Sequence, residues 1–135
     1  MEYLFGAGLA LGVGVFATVV GFDRGRAFYP VVLMVIASYY DLFAVMGGAQ
    51  ALPAETAILA VFVALAVVGF KSNLWLVVAA LLGHGMFDLV HPTLVENPGA
   101  PAWWPMFCLA YDVAAGGYLA ARLLSPSPSR LEARP

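Results

Sequence analysis

Cysteine is almost absent from this 135-residue chain: Cys108 stands alone, so neither an intrachain disulfide framework nor a four-cysteine zinc site can be built from it. Charge is scarce as well. Six basic and eight acidic residues make up 10% of the sequence, with a net charge of −2, too little positive charge for a nucleic-acid-binding surface. What the chain has in excess is apolar residues, at 63% against about 45–50% in a soluble domain. That figure excludes both disorder and an ordinary water-soluble globule. A small polytopic membrane protein remains.

A helix needs about 20 mainly apolar residues to cross the hydrocarbon core of a bilayer. Five runs of that length predict an all-α bundle of five transmembrane helices at about 3–22, 28–47, 53–70, 74–91 and 105–124. They are punctuated by Asp23-Arg24-Gly25-Arg26, by Gly48-Ala49-Gln50, by Lys71-Ser72-Asn73 and by the segment from Pro92 to Trp104. Pro53 suits a helix start, and Pro92 is read as the stop of the fourth span. Residues 1–124 then form a single membrane domain, followed by a flexible cytoplasmic tail at 125–135 that opens with Ser125-Pro126-Ser127-Pro128-Ser129.

Orientation follows from the basic residues, which are retained on the cytoplasmic side of span ends. Arg24 and Arg26 lie in the first loop, Lys71 in the third, and Arg122, Arg130 and Arg134 at or beyond the end of the fifth span. With five spans all six fall on one side, which places the N-terminus outside and the C-terminus in the cytoplasm of a multi-pass protein of the inner, or plasma, membrane. Tyr3, Phe22, Phe28, Tyr29, Phe70, Trp75, Trp103 and Trp104 fall where interfacial aromatic belts are expected. Gly8 and Gly12, flanked by Gly6 and Gly14, form a small-xxx-small pattern that suits close helix contact or a dimer face, although glycine is also simply frequent in membrane helices.

Ionisable residues inside these spans are unexpected, because an aspartate near a helix centre costs about 2.5–3.5 kcal/mol on the insertion scale. Asp41 lies on the second span, Glu55 starts the third, His84, Asp88 and His91 lie on the fourth, and Asp112 lies on the fifth. At ~1.5 Å per residue, Asp41, His84 and Asp112 each sit roughly 9–10 Å inside the predicted outer end of their helix. The spacings of four and three put His84, Asp88 and His91 on one helix face, and Cys108 shares the face of Asp112. Every Lys and Arg is at the other side. Compensation must come from protonated histidines, from neutral aspartates or from a bound cation, and a divalent metal (zinc, iron or manganese) meets the need with the fewest assumptions. His84, Asp88, His91 and Asp112 are the expected metal ligands, and Asp41 and Asp112 the expected catalytic carboxylates. The plainer alternative is that Asp–His hydrogen bonds only hold helices together.

Two histidines limit the chemistry. Membrane di-iron hydroxylases use many histidines in several boxes, and a bis-histidine haem would need two copies of this chain, since His84 and His91 share one helix. H-E-x-x-H, the paired E-x-x-H segments of di-iron bundles, G-x-S-x-G and the P-loop are all absent. The segment Gly83-His84-Gly85-Met86-Phe87-Asp88-Leu89-Val90-His91 and the loop Asn97-Pro98-Gly99 to Trp103-Trp104-Pro105 resemble signatures of a family of small bacterial integral membrane proteins. In outline, a few His and Asp residues from separate helices at one depth are similar to the zinc-dependent intramembrane hydrolases of the alkaline-ceramidase type. That family has seven spans and three histidine ligands, where this chain has five and two. The resemblance implies only that such a site can be catalytic.

Three functions are therefore expected to compete. One is a metal-dependent enzyme acting on a lipid-like substrate, and another is a non-catalytic membrane subunit or a metal or proton sensor. The third is a proton- or cation-coupled transporter, which the apolar runs Val31–Ile36, Val61–Val68 and Leu74–Leu82 disfavour because they close the cytoplasmic half. A bundle this thin suits a homo-oligomer or a larger membrane complex, and the bilayer itself is its first partner. The loop from Pro92 to Trp104 lies over the site either as a lid or as a rigid connector.

Overall fold

The computed structural model describes residues 1–125, so the predicted tail lies outside the described residues apart from Ser125. Five helices account for nearly all of it: α1 (Glu2–Val20), α2 (Phe28–Met46), α3 (Leu52–Lys71), α4 (Leu74–Leu94) and α5 (Trp104–Leu124), with a single 3-10 turn at Phe22–Arg24. All five are long and apolar enough to cross a membrane. Asn73 caps α4 by accepting a hydrogen bond from the Trp75 amide, and Pro53 occupies the first turn of α3, where its missing N–H has no cost.

Pro92 does not stop the fourth helix. It is an interior residue, and α4 continues for three residues to Leu94 with the Val95 amide closing on the His91 carbonyl. A proline forfeits only its own N–H bond, here the one toward the Asp88 carbonyl. Near a helix end the remaining turn can still form.

In space the helices follow the order α1, α5, α4, α3, α2, so α1 packs on α5 rather than on its chain neighbour α2. The two ends of the bundle differ in chemistry. At one end Arg26 donates from Nε to the Phe70 carbonyl (3.0 Å) and from a terminal nitrogen to the Gly69 carbonyl (3.4 Å), satisfying the last turn of α3 with a cation where the helix dipole favours one. Asp23, fully buried, accepts from Thr18 Oγ1 (2.6 Å) and lies 3.3 Å from Arg122 Nε, which ties the first loop to the end of α5. Arg24, Arg26, Lys71 and Arg122 all sit at this end, while Arg130 and Arg134 lie outside the described residues. At the opposite end Asn97 reaches from the loop between α4 and α5 to the Tyr40 carbonyl (3.0 Å) and to Glu55 Oε1 (2.8 Å). That loop is pinned, and Gly99 lies directly on the Phe43 carbonyl and the Gly47 amide.

The glycine stripe of α1 is used differently from its sequence appearance. Gly6, Ala10, Gly14 and Ala17 are the buried face, and a Cβ on Gly6 would collide with the Phe107 carbonyl of α5. Gly8 and Gly12 point away, with open space around them. A helix has one packed face here, and residues two positions apart lie about 200° around it. Gly6→Val is therefore expected to destabilise the protein by about 1–3 kcal/mol through overpacking. Gly8→Val should stay within roughly 0.5 kcal/mol of wild type. Unfolding of the purified protein in detergent compares the two.

Candidate metal centre

α4 and α5 meet face to face, each carrying two donor residues one turn apart: His84 and Asp88 on α4, Cys108 and Asp112 on α5. Gly85 allows the approach, since a Cβ there would press on the Cβ of Asp112 at 3.1 Å. His84 Nδ1 lies 2.7 Å from Asp112 Oδ2 and 3.6 Å from Asp88 Oδ2, and Cys108 Sγ donates to Asp112 Oδ2 at 3.8 Å. One donor atom from each of the four residues fits within 4.8 Å of the others. All four side chains are sealed from solvent.

The surroundings hold the set in place. Tyr40 of α2 donates its hydroxyl to Asp88 Oδ1 at 2.8 Å, and the Phe62 ring of α3 stands edge-on to His84 with centroids 4.6 Å apart. Even so, Asp88 Oδ2 and Asp112 Oδ1 have no hydrogen-bond partner. Two carboxylates share one imidazole, and no lysine or arginine side chain bonds to them. Buried carboxylate oxygens without partners are costly, and a cation or a proton removes that cost.

The donor set suits a divalent transition ion. Bonds of about 2.0–2.3 Å to nitrogen, oxygen and sulfur put tetrahedral ligand atoms roughly 3.3–3.8 Å apart, so closing on zinc needs a contraction of about 1 Å. A thiolate beside imidazole and carboxylate favours zinc or iron over manganese. Cys108 is a candidate donor absent from the expected ligand set, although its four-residue spacing to Asp112 already puts it on the same helix face.

Two expected site residues stand apart from this group. Asp41 is partly exposed and turns toward α3, where Oδ2 accepts from Thr56 Oγ1 at 2.9 Å. The inward position on α2 belongs to its neighbour Tyr40, and one residue is about 100° of helix rotation. His91 shares the helix face of His84 but lies about 10 Å further along α4. Its Nε2 is 2.8 Å from Glu55 Oε1, and its ring stacks on Tyr40 at 3.8 Å. Glu55, expected at a helix start, is fully buried there. The four-residue centre is also deeper than expected: because α4 runs on to Leu94, His84 lies about 15 Å from that end, and Asp112 about 12 Å from Trp104.

One cavity reaches the centre and another lies beyond His91. An apolar cleft of about 350 Å³ opens between α1, α2 and α5, walled by Val31, Val35, Tyr39, Trp104 and Phe107 and reaching Cys108. A second cavity of about 370 Å³ lies under the loop between α4 and α5, with His91, Glu96 and Asn97 among its walls. Comparison of the chain with protein-family models, with curated proteins and with solved structures finds no match.

The Tyr40 hydroxyl is the only hydrogen-bond donor from α2 to Asp88. Tyr40→Phe is expected to cost about 1–3 kcal/mol, the penalty for an unsatisfied buried acceptor. Tyr39→Phe removes a hydroxyl from a partly exposed ring and should change stability by less than roughly 0.5 kcal/mol. Thermal unfolding of both variants tests the contrast.

Proposed function

We propose that this membrane protein is a metalloenzyme in which His84, Asp88, Asp112 and Cys108 hold a divalent transition ion, and that its substrate is lipid-like. The observation that carries the reading is the double role of Cys108, which belongs to the donor group and also lines the apolar cleft. A long apolar substrate lying in that cleft would bring its reacting group to the side of the centre formed by Cys108. His84, Asp88 and Asp112 would then be the three protein ligands typical of a catalytic site, with the Cys108 side as the exchangeable position. A divalent ion bound there supplies Lewis acidity and a nucleophilic bound water near neutral pH. The chain's own residues orient it: Tyr40 fixes Asp88, the Phe62 ring fixes His84, and the surrounding apolar side chains exclude bulk water. The similarity in outline to zinc-dependent intramembrane hydrolases agrees with this assignment.

A second reading rests on a specific observation too. All four donors come from the protein and are buried, and a closed four-ligand set is the pattern of structural zinc. On that reading the protein is a non-catalytic subunit or a metal sensor. In both, the basic end of the bundle faces the cytoplasm by the charge rule, and the end carrying Glu55, His91 and Asn97 faces outward.

Metal analysis of the purified protein tests the centre. Wild type is expected to carry stoichiometric zinc or iron, His84→Ala and Asp112→Ala to lose it, and Asp41→Ala to retain it. A preparation that is metal-free and takes up no added zinc would overturn the proposal. Cys108→Ser separates the two readings: a catalytic site keeps its metal with three ligands, whereas a closed site loses affinity by about 10–100-fold or more, as when a supporting ligand shell is broken.

A further inference from the structure

A centre sealed from solvent on every side raises the question of how a hydrated dication reaches it. Hydrocarbon will not pass such an ion, so a route must be polar. From the end opposite the basic residues, one series of polar groups leads inward. The cavity under the loop between α4 and α5 has His91 on its wall; His91 is paired with Glu55 and stacks on Tyr40, and Tyr40 bonds to Asp88 of the centre.

The outer part of this series is itself built as a cation site. Glu55 Oε1 accepts from Asn97 Nδ2 at 2.8 Å and lies 2.8 Å from His91 Nε2. Glu55 is 1% exposed, yet its Oε2 has no partner, and neither does Asn97 Oδ1. An imidazole and a carboxylate thus meet beside the Asn97 amide, with the Glu55 Oε2 and Asn97 Oδ1 oxygens unpartnered and no lysine or arginine of the described residues bonded to Glu55. These are donors suited to a divalent ion that still keeps some of its water. Two protein ligands and an amide bind more weakly than the N/O/O/S set beyond them, as a transit position requires.

Tyr40 divides the two sites. Its ring covers His91 and its hydroxyl holds Asp88, so this one side chain lies between the outer pair and the carboxylate of the centre. His84 and His91 face the same way on α4, about 10 Å apart.

We infer that Glu55, His91 and Asn97 form a transfer site that takes a divalent transition cation from the outward cavity and passes it to the His84, Asp88, Cys108 and Asp112 centre. The inference rests on the metal-centre reading and assigns His91 a role in loading rather than in the final coordination.

The test is the rate at which chelator-stripped full-length protein in detergent takes up cobalt(II), followed by the thiolate-to-cobalt absorption that reports Cys108 ligation. Glu55→Gln and His91→Gln should each slow uptake by about tenfold or more while leaving the final absorption and stoichiometry unchanged. Two variants are read together, with thermal unfolding of each, so that a folding defect in one does not imitate the result. Unchanged rates in both folded variants overturn the transfer site but leave the centre standing, and loss of the final absorption overturns it by making these residues part of the centre. Wild type that takes up no cobalt removes both readings together.

Discussion

Two aspartates and one histidine, brought within hydrogen-bonding distance by the packing of α4 on α5, set the terms for the rest of the bundle. Carboxylates at this depth are tolerated only if something neutralises them, and the chain keeps every lysine and arginine of the described residues at one end. The other helices are arranged around that constraint. α2 contributes the Tyr40 hydroxyl, α3 contributes the Phe62 ring, and the α4–α5 contact is made possible by Gly85. What remains unsatisfied after these contributions is one oxygen on each aspartate, and a divalent cation answers both at once.

The fold was legible because its signals are long and redundant. Five apolar runs broken by charge, glycine and proline identify five helices without any knowledge of packing, and their ends agree with the structure within three residues. Faces were harder. His84, Asp88 and Asp112 were found because i, i+4 spacing on one helix is a local property, while the partner across the interface depends on which helices become neighbours. The placing of Cys108 beside His84 and Asp88, and of Glu55 against His91, depends on α5 lying against α4 and on α3 lying beside the end of α4. Asp41 misled for a related reason: depth along a helix can be read from sequence, but rotation about its axis cannot when Tyr39, Tyr40 and Asp41 are all plausible inward residues. Gly8 and Gly12 show the same limit, since a small-residue motif has the right period for packing whichever face it lies on.

A second buried polar group, Asp23 with Thr18, Tyr118 and Arg122, has a different character. It sits at the basic end, and its carboxylate has a guanidinium within reach, so a metal is not required to balance it. Its effect is mechanical, fastening the first loop and the end of α1 to α5. That matters because α1 otherwise meets the bundle mainly through the small-residue stripe against α5.

The placement of the cleft and the outward cavity gives the centre two approaches of opposite polarity. One is lined by valines and aromatic rings and reaches Cys108, whereas the other is lined in part by His91, Glu96 and Asn97, with Tyr40 between His91 and Asp88. A purely structural metal needs only the second, and only during assembly. An apolar approach that reaches a candidate donor has no purpose for such a site, because lipid tails there would make no interaction with the ion. The combination would suit the proposed centre, with a substrate drawn from the membrane and a cation drawn from water. Burial of the donors then keeps the two from meeting anywhere but at the metal.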